Sequence, residues 1–310
     1  MARLTPLILP GWLLLLTLAT FAAAALAWRR IRRPVAPGGA ATHGVPSLQF
    51  ALQTAVLIGT AAALVWRWRH LAGEWRPISA HVDGLLLLAV AASASILFIQ
   101  VRAGLYGVAA FALPLLGVIL TWAICAAAWS YQPFNPDSHG RAWLTLHLTS
   151  IYLGALGALL AAGAGLAYLD TAKRLKTGRG VARIPALGSL ESLERWVVVG
   201  SAIGFCLLTI GLASGIAVAA EDQTDAPWWR EPKVVLGFVV WGGYGVVMNA
   251  RATSRLRGTT AAVAAVVGFG VLIGAYAAAE AWPWGGAQET NARTQAEALP
   301  LAEPNPEAAP

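Results

Sequence analysis

Residues 142–176 read AWLTLHLTSIYLGALGALLAAGAGLAYLDTAKRLK. From Trp143 to Leu169 there is no Asp, Glu, Lys or Arg; Asp170, Lys173, Arg174 and Lys176 then follow within seven residues. A bilayer hydrocarbon core about 30 Å thick is crossed by about 20 apolar residues rising 1.5 Å each. The stretch therefore predicts a membrane-spanning helix that leaves the bilayer through a basic exit.

The same reading extends outward in both directions. Comparable runs occupy Pro6–Trp28, Leu48–Trp66, Gly84–Val101, Leu105–Trp129, Trp196–Ala220, Val234–Ala250 and Thr260–Ala279. With Trp143–Leu169 they predict an all-α polytopic protein, a bundle of eight transmembrane helices. The composition agrees: 57% of the 310 residues are apolar and 12% charged, about half the charge of a soluble domain. Mean hydropathy is +0.62. A soluble enzyme and a disordered chain are excluded. The net charge of +7 sits in loops between apolar runs, which is membrane topology and not a nucleic-acid-binding face. Cys125 and Cys206 stand apart within apolar runs, so neither a disulfide framework nor a thiol relay is indicated.

Basic residues orient the bundle. Alternating sides from the N-terminus, one side receives 8 Lys and Arg and the other 14. The positive-inside rule makes the second side cytoplasmic, and both termini face outward. The acids agree, with 12 of 15 outside. The first run, 23 residues long and followed rather than preceded by its charges, is too long for a signal-peptide core. Three regions result: 1–47, the first helix and a basic cytoplasmic loop; 48–284, the main transmembrane domain; and 285–310, rich in Ala, Pro, Glu and Gln, a disordered outer tail.

The eight runs hold no Asp, Glu, Lys or Arg, and His147 is their one imidazole. A proton- or ion-coupled permease keeps charge at membrane depth, so that class is disfavoured. HExxH, GxSxG and GxxxxGK[ST] are absent, and with them the usual hydrolase and nucleotide signatures. Gly200/Gly204, Gly211/Gly215 and Gly270/Gly274 are small-xxx-small pairs. They fit ordinary close helix packing, or a flat surface left open for a ligand. In the loop Asp170–Arg195, Leu187, Leu190 and Leu193 recur every third residue. That spacing suits a short interfacial helix.

Nine of 14 Trp fall at or beyond the outer boundary: 66, 68, 75, 129, 143, 228, 229, 282 and 284. His70, His81, His139 and His147 are outer too. An anchoring belt populates both interfaces; only Trp28 and Trp196 stand at the inner one, so a belt alone explains this set poorly but stays an alternative to a ligand site. The set suits a porphyrin: indoles stack on its flat apolar rim, imidazole ligates its iron, and Arg141, Arg230 and Lys233 could meet its propionates. Trp143 and His147, spaced i, i+4, share one helix face.

Three stretches together resemble the CcsA/HemX group of cytochrome c assembly-type membrane proteins. Residues 142–176 look like its histidine-bearing helix. Ile184–Ala220, IPALGSLESLERWVVVGSAIGFCLLTIGLASGIAVAA, is similar to its Leu-Glu-x-Leu-Glu-Arg and Gly-Phe-x-Leu-Leu-Thr-x-Gly pattern. Ala226–Gly274, opening APWWREPKVVLGFVVWGGYG, sits where the group carries its tryptophan-rich WWD segment. Gly73–Leu85, GEWRPISAHVDGL, is weakly similar to the loop before the group's third helix.

The resemblance implies a bacterial inner (cytoplasmic) membrane protein that holds or presents haem b on the outer face. It implies a cytochrome c maturation protein or apocytochrome c as partner, besides the lipid bilayer, and no nucleic acid. The chain would be a haem-binding assembly factor more than a catalyst. Carried over by position, His147 matches an outer haem-ligand histidine. Trp228, Trp229, Pro232, Lys233 and Trp241 match the tryptophan-rich motif, with Trp143 and Arg230 beside them. The chain also departs from the pattern. Arg230-Glu231-Pro232-Lys233-Val234 stands where the group reads Trp-Asp-Pro-Lys-Glu, Asn249 stands at a histidine position, and no histidine follows the last helix. The group's own bis-histidine scheme is therefore not available, and His81 or His139 is the candidate second ligand. The alternative is a HemX-like accessory or regulatory membrane protein that has lost haem ligation.

Overall fold

The computed structural model describes residues 5–32, 47–70, 81–129, 141–178, 188–221, 232–252 and 258–281. They form eight helices and, among the described residues, no strand: α1 Thr5–Arg32, α2 Ser47–His70, α3 His81–Ala103, α4 Tyr106–Trp129, α5 Arg141–Thr177, α6 Leu190–Glu221, α7 Pro232–Ala252 and α8 Thr259–Ala281. Seven carry an apolar span long enough to cross a membrane; in α7 the apolar part is the shorter Val234–Val246. The tail 285–310 lies outside the described residues.

Backbone polarity is satisfied within each helix, the requirement that lipid imposes. The small hydroxyl residues follow suit: Thr17, Thr20, Thr60, Thr171, Thr209 and Ser214 each donate to the carbonyl four residues earlier, which satisfies the hydroxyl without a partner helix. Helix ends are capped by charge and turn chemistry. Arg29, Arg30 and Arg32 close α1, and Arg174 and Lys176 close α5, where cations oppose the negative end of the helix dipole. Ser189 Oγ accepts from the Ser192 N–H at 3.2 Å, the N-cap bond that starts α6. Only Gly104 and Leu105 separate α3 from α4. Gly104 has φ +64°, a left-handed turn that a side chain resists, so the two helices fold back as a tight hairpin.

Contacts between distant residues establish the up-and-down arrangement. At one end the start of α3, the end of α4, the start of α5 and the end of α8 meet. There the His81 and Tyr276 rings are 6.3 Å apart, Trp122 and Tyr276 are 6.3 Å apart, and Tyr152 Oη donates to the His81 carbonyl at 3.4 Å. This is the end that the charge count makes outer. At the other end Arg30 lies over Tyr106, and the Gly258 N–H donates to Glu194 Oε1 at 3.0 Å. Helix α5 is the hub, packing on α3, α4, α6 and α8, while α1 packs on α2 and α4. The α5–α6 crossing is the closest. A Cβ at Gly157 would stand 2.8 Å from the Gly200 carbonyl oxygen, and one at Gly200 2.9 Å from that of Gly157. For this pair close packing accounts for the glycines, and no ligand surface remains.

Two expectations are corrected here. Of the leucines expected in a separate interfacial helix, Leu187 lies outside the described residues, and Leu190 and Leu193 do not belong to such a helix. They open α6, a continuous 32-residue helix, and Leu193 is fully buried. Second, charge does enter the bundle. Arg67 and Asp83, which hydropathy leaves in the loop between the second and third spans, belong to α2 and α3. They form an ion pair of 2.6 Å whose side chains are 7% and 0% exposed. Burial is affordable because Arg67 Nε donates directly to Asp83 Oδ1; an isolated charge there would be prohibitively costly.

Candidate functional site

Helix α5 sets the geometry of the candidate site. Trp143, His147 and Ile151 recur every four residues, so they lie about 40° apart around the helix and form one stripe. That stripe faces α6. A Cβ at Gly211 would meet Ile151 Cγ1 at 2.8 Å, and one at Gly215 would meet His147 Cε1 and Nδ1 at 2.6 Å. The glycine pair on α6 is thus a notch filled by Ile151 at Gly211 and by the imidazole at Gly215.

His147 Nδ1 lies 2.6 Å from the Gly211 carbonyl oxygen. A carbonyl can only accept, so Nδ1 carries the hydrogen. The neutral ring then keeps its lone pair on Nε2. This is how metal-ligating histidines are oriented: one ring nitrogen bonds a backbone carbonyl, fixing tautomer and rotation, and the other faces the metal. Six residues separate His147 from the start of α5, about 9 Å along the axis. The ring is half-buried. One turn outward on the same stripe Trp143 is 45% exposed, an apolar plane at the rim. The donor chemistry, a neutral imidazole nitrogen, is of the kind that would hold a haem iron. Among the described residues, no group of three or more His, Cys, Asp or Glu could hold a bare metal ion.

The remaining candidates are placed as follows. Trp241 lies nine residues into α7, about 13 Å from its start. Its Nε1 donates to Thr209 Oγ1 at 3.0 Å, and its ring stacks on Phe205 at 6.0 Å. It fastens α7 to α6 well below the rim. Pro232 and Lys233 open α7, Pro232 at the first helical position, where its missing N–H costs nothing. Trp228, Trp229, Arg230 and His139 lie outside the described residues. His81 starts α3, with Nδ1 3.5 Å from Tyr276 Oη. Tyr152, which reaches the His81 carbonyl, is five residues from His147, about 140° around α5. His81 therefore adjoins a face of α5 turned away from the α6 notch. Trp66 and Trp68 pack against the core and are no part of an open ledge.

Sequence reasoning missed the Gly211 carbonyl as the partner of His147. The spacing of Gly211 and Gly215 marked a close approach but could not say what approached. The buried Arg67–Asp83 pair had no local signal, because both residues look like ordinary loop charges.

Residues 78–283, about two thirds of the chain, match the sequence model of the family described as Cytochrome C assembly protein. Three curated relatives, each named cytochrome c biogenesis protein CcsA, align with part of the chain. That from Thermosynechococcus vestitus is 44% identical over 70 residues, 23% of this chain and 22% of the relative. That from Spinacia oleracea is 34% identical over 80 residues, 26% and 24%, and that from Panax ginseng 32% over 80 residues, 26% and 25%. The chain thus spans about a quarter of the length of these relatives. No solved structure matches. A multi-pass helical bundle of this hydropathy, matched from just before α3 to the end of α8, belongs to the cytochrome c assembly protein family.

Proposed function

We propose that this protein holds haem at the outer end of its bundle for cytochrome c assembly, in a bacterial cytoplasmic membrane, with His147 Nε2 as the nitrogen that would ligate its iron. The observation that carries the reading is the 2.6 Å bond from His147 Nδ1 to the Gly211 carbonyl. It leaves the second ring nitrogen unprotonated and its direction fixed by two packed helices. Ligation at this depth needs a donor without charge, and neutral imidazole meets that condition. Trp143 supplies an aromatic plane one turn outward on the same stripe. By the family pattern, Trp228, Trp229, Arg230, Pro232 and Lys233 would complete the haem-binding set, with Arg230 and Lys233 as the cations for propionate. His139 is the candidate second ligand; His81, held beside Tyr152 and Tyr276 on a face of α5 turned away from the notch, is no longer one.

Binding and presentation are the whole task in this reading. The thioether bonds would form on the cysteines of an apocytochrome c; in this chain Cys125 and Cys206 lie on spanning helices α4 and α6. Bound haem supplies two vinyl groups for that attachment and an iron for the histidine to grip. The chain's own residues hold the macrocycle at the surface and keep its rim against apolar side chains.

A second reading has its own support. Asn249 stands at a histidine position of the CcsA/HemX pattern, and no histidine follows α8. These losses favour a HemX-like accessory protein on the same scaffold. Titration of haemin into the purified chain in detergent separates the two. The haem-holding reading expects one saturable Soret transition per chain. A protein that produces no transition beyond that of empty micelles supports the accessory role and contradicts haem holding.

A further inference from the structure

A cavity of about 10 Å³ lies where α1, α2, α3 and α4 meet, lined by Thr20, Gln53, Ser93, Ile96, Leu113 and Leu116 among others. That is the room one water molecule needs, and a cavity holds water only where polar groups line it. Two polar groups here have no protein partner among the described residues. Gln53 Nε2 and Ser93 Oγ are both buried and unbonded, on residues 3% and 4% exposed.

The surroundings explain why these two are left over. Gln49, Gln100 and Gln53 form a relay in which Gln49 Nε2 donates to Gln100 Oε1 at 3.3 Å and Gln100 Nε2 donates to Gln53 Oε1 at 2.9 Å. The bond to Gln53 Oε1 fixes that amide's orientation, and its N–H₂ becomes the dangling end of the chain. Ser93 does not fold its hydroxyl back onto its own helix as Thr17, Thr20 and Thr60 do. Thr20 already donates to the Leu16 carbonyl, so its oxygen can still accept.

We infer that one water molecule resides in this cavity, accepting from Gln53 Nε2 and donating to Ser93 Oγ and Thr20 Oγ1. Three bonds are the usual complement of a buried water, and each unpaired group at this depth has no lipid alternative. The water ends the glutamine relay and joins α1 and α2, which precede the family-matched segment, to α3 and α4 within it. The site does not depend on haem, and its test is separate from that of the haem reading.

Hydroxyl-radical labelling by a brief X-ray pulse, on the full chain in nanodiscs, tests it, because a bound water generates radicals beside its neighbours. Ile96 and Leu116, 1% and 0% exposed, should label several-fold faster than Leu86 and Leu159, both also 0% exposed. Ser93→Val, which fills the space and removes the hydroxyl, should bring the rates at Ile96 and Leu116 down to those controls. Low labelling at Leu86 and Leu159 in the variant shows that its packing is intact. Equal rates at all four positions in the unaltered protein would overturn the inference. So would undiminished labelling of Ile96 and Leu116 in an intact Ser93→Val variant.

Discussion

The α5–α6 crossing and the α7–α8 arm are both rich in glycine, yet their glycines meet opposite surroundings. At Gly157, Gly200 and Gly204 an added Cβ would strike the backbone of the facing helix at 2.8 to 3.1 Å. At Gly242, Gly243, Gly270 and Gly274 it would meet nothing within 4 Å. Gly211 and Gly215 form a third case, touching the side chains of Ile151 and His147. The spacing of small residues records an opportunity for close approach. The facing residues decide whether it becomes backbone contact, a seat for a ring or bare surface. Only the middle case holds a titratable nitrogen in a defined orientation, which is why the candidate site belongs there.

The sharpest way to break the comparison is Gly157→Leu. Four extra carbons against rigid backbone should cost at least about 3 kcal/mol, read as loss of the folded, monodisperse species in detergent. A stable Gly157→Leu protein would mean that the crossing is looser than described. Next comes Gly215→Ala. Its methyl occupies the space of His147 Cε1 and Nδ1, so the ring must turn and give up the Gly211 carbonyl. Stability should fall by only about 1 kcal/mol, but haem affinity should fall about tenfold or more, followed by Soret titration. Unchanged affinity with normal folding would detach the notch from ligation. The smallest effect is expected for Gly270→Ala and Gly274→Ala. On an open helix face, alanine should leave the melting temperature unchanged or raise stability by up to about 1 kcal/mol. A clear loss would show that something covers this face in the membrane.

Much of the fold was legible in the sequence because lipid imposes a length and a polarity on each helix. All eight apolar runs became helices, from Pro6–Trp28 within α1 to Thr260–Ala279 within α8. The ends were less legible. Hydropathy stops at the first charge, whereas α5 runs on to Thr177 and α6 begins at Leu190 because capping and i, i+4 pairs such as Asp170–Arg174, 2.7 Å apart, sustain the helix in water. For that reason Leu190 and Leu193 looked like a separate element. Of the candidate site, the Trp143–His147 stripe was readable from spacing alone. The Gly211 bond was not, because 64 residues separate donor and acceptor. The relay of Gln49, Gln53 and Gln100 had a visible half: the first two are i, i+4 on α2. Its completion by α3 needed the tertiary structure.

The measurement that bears most directly on the central claim is the visible spectrum of haem-loaded protein when His147 is cut back to glycine and imidazole is then supplied. If Nε2 of His147 holds the iron, His147→Gly loses the ligated Soret band, and millimolar imidazole restores it by entering the vacated notch beside Gly215. A His147→Gly protein that keeps the unaltered band without imidazole would contradict the account, because the iron would then be held elsewhere.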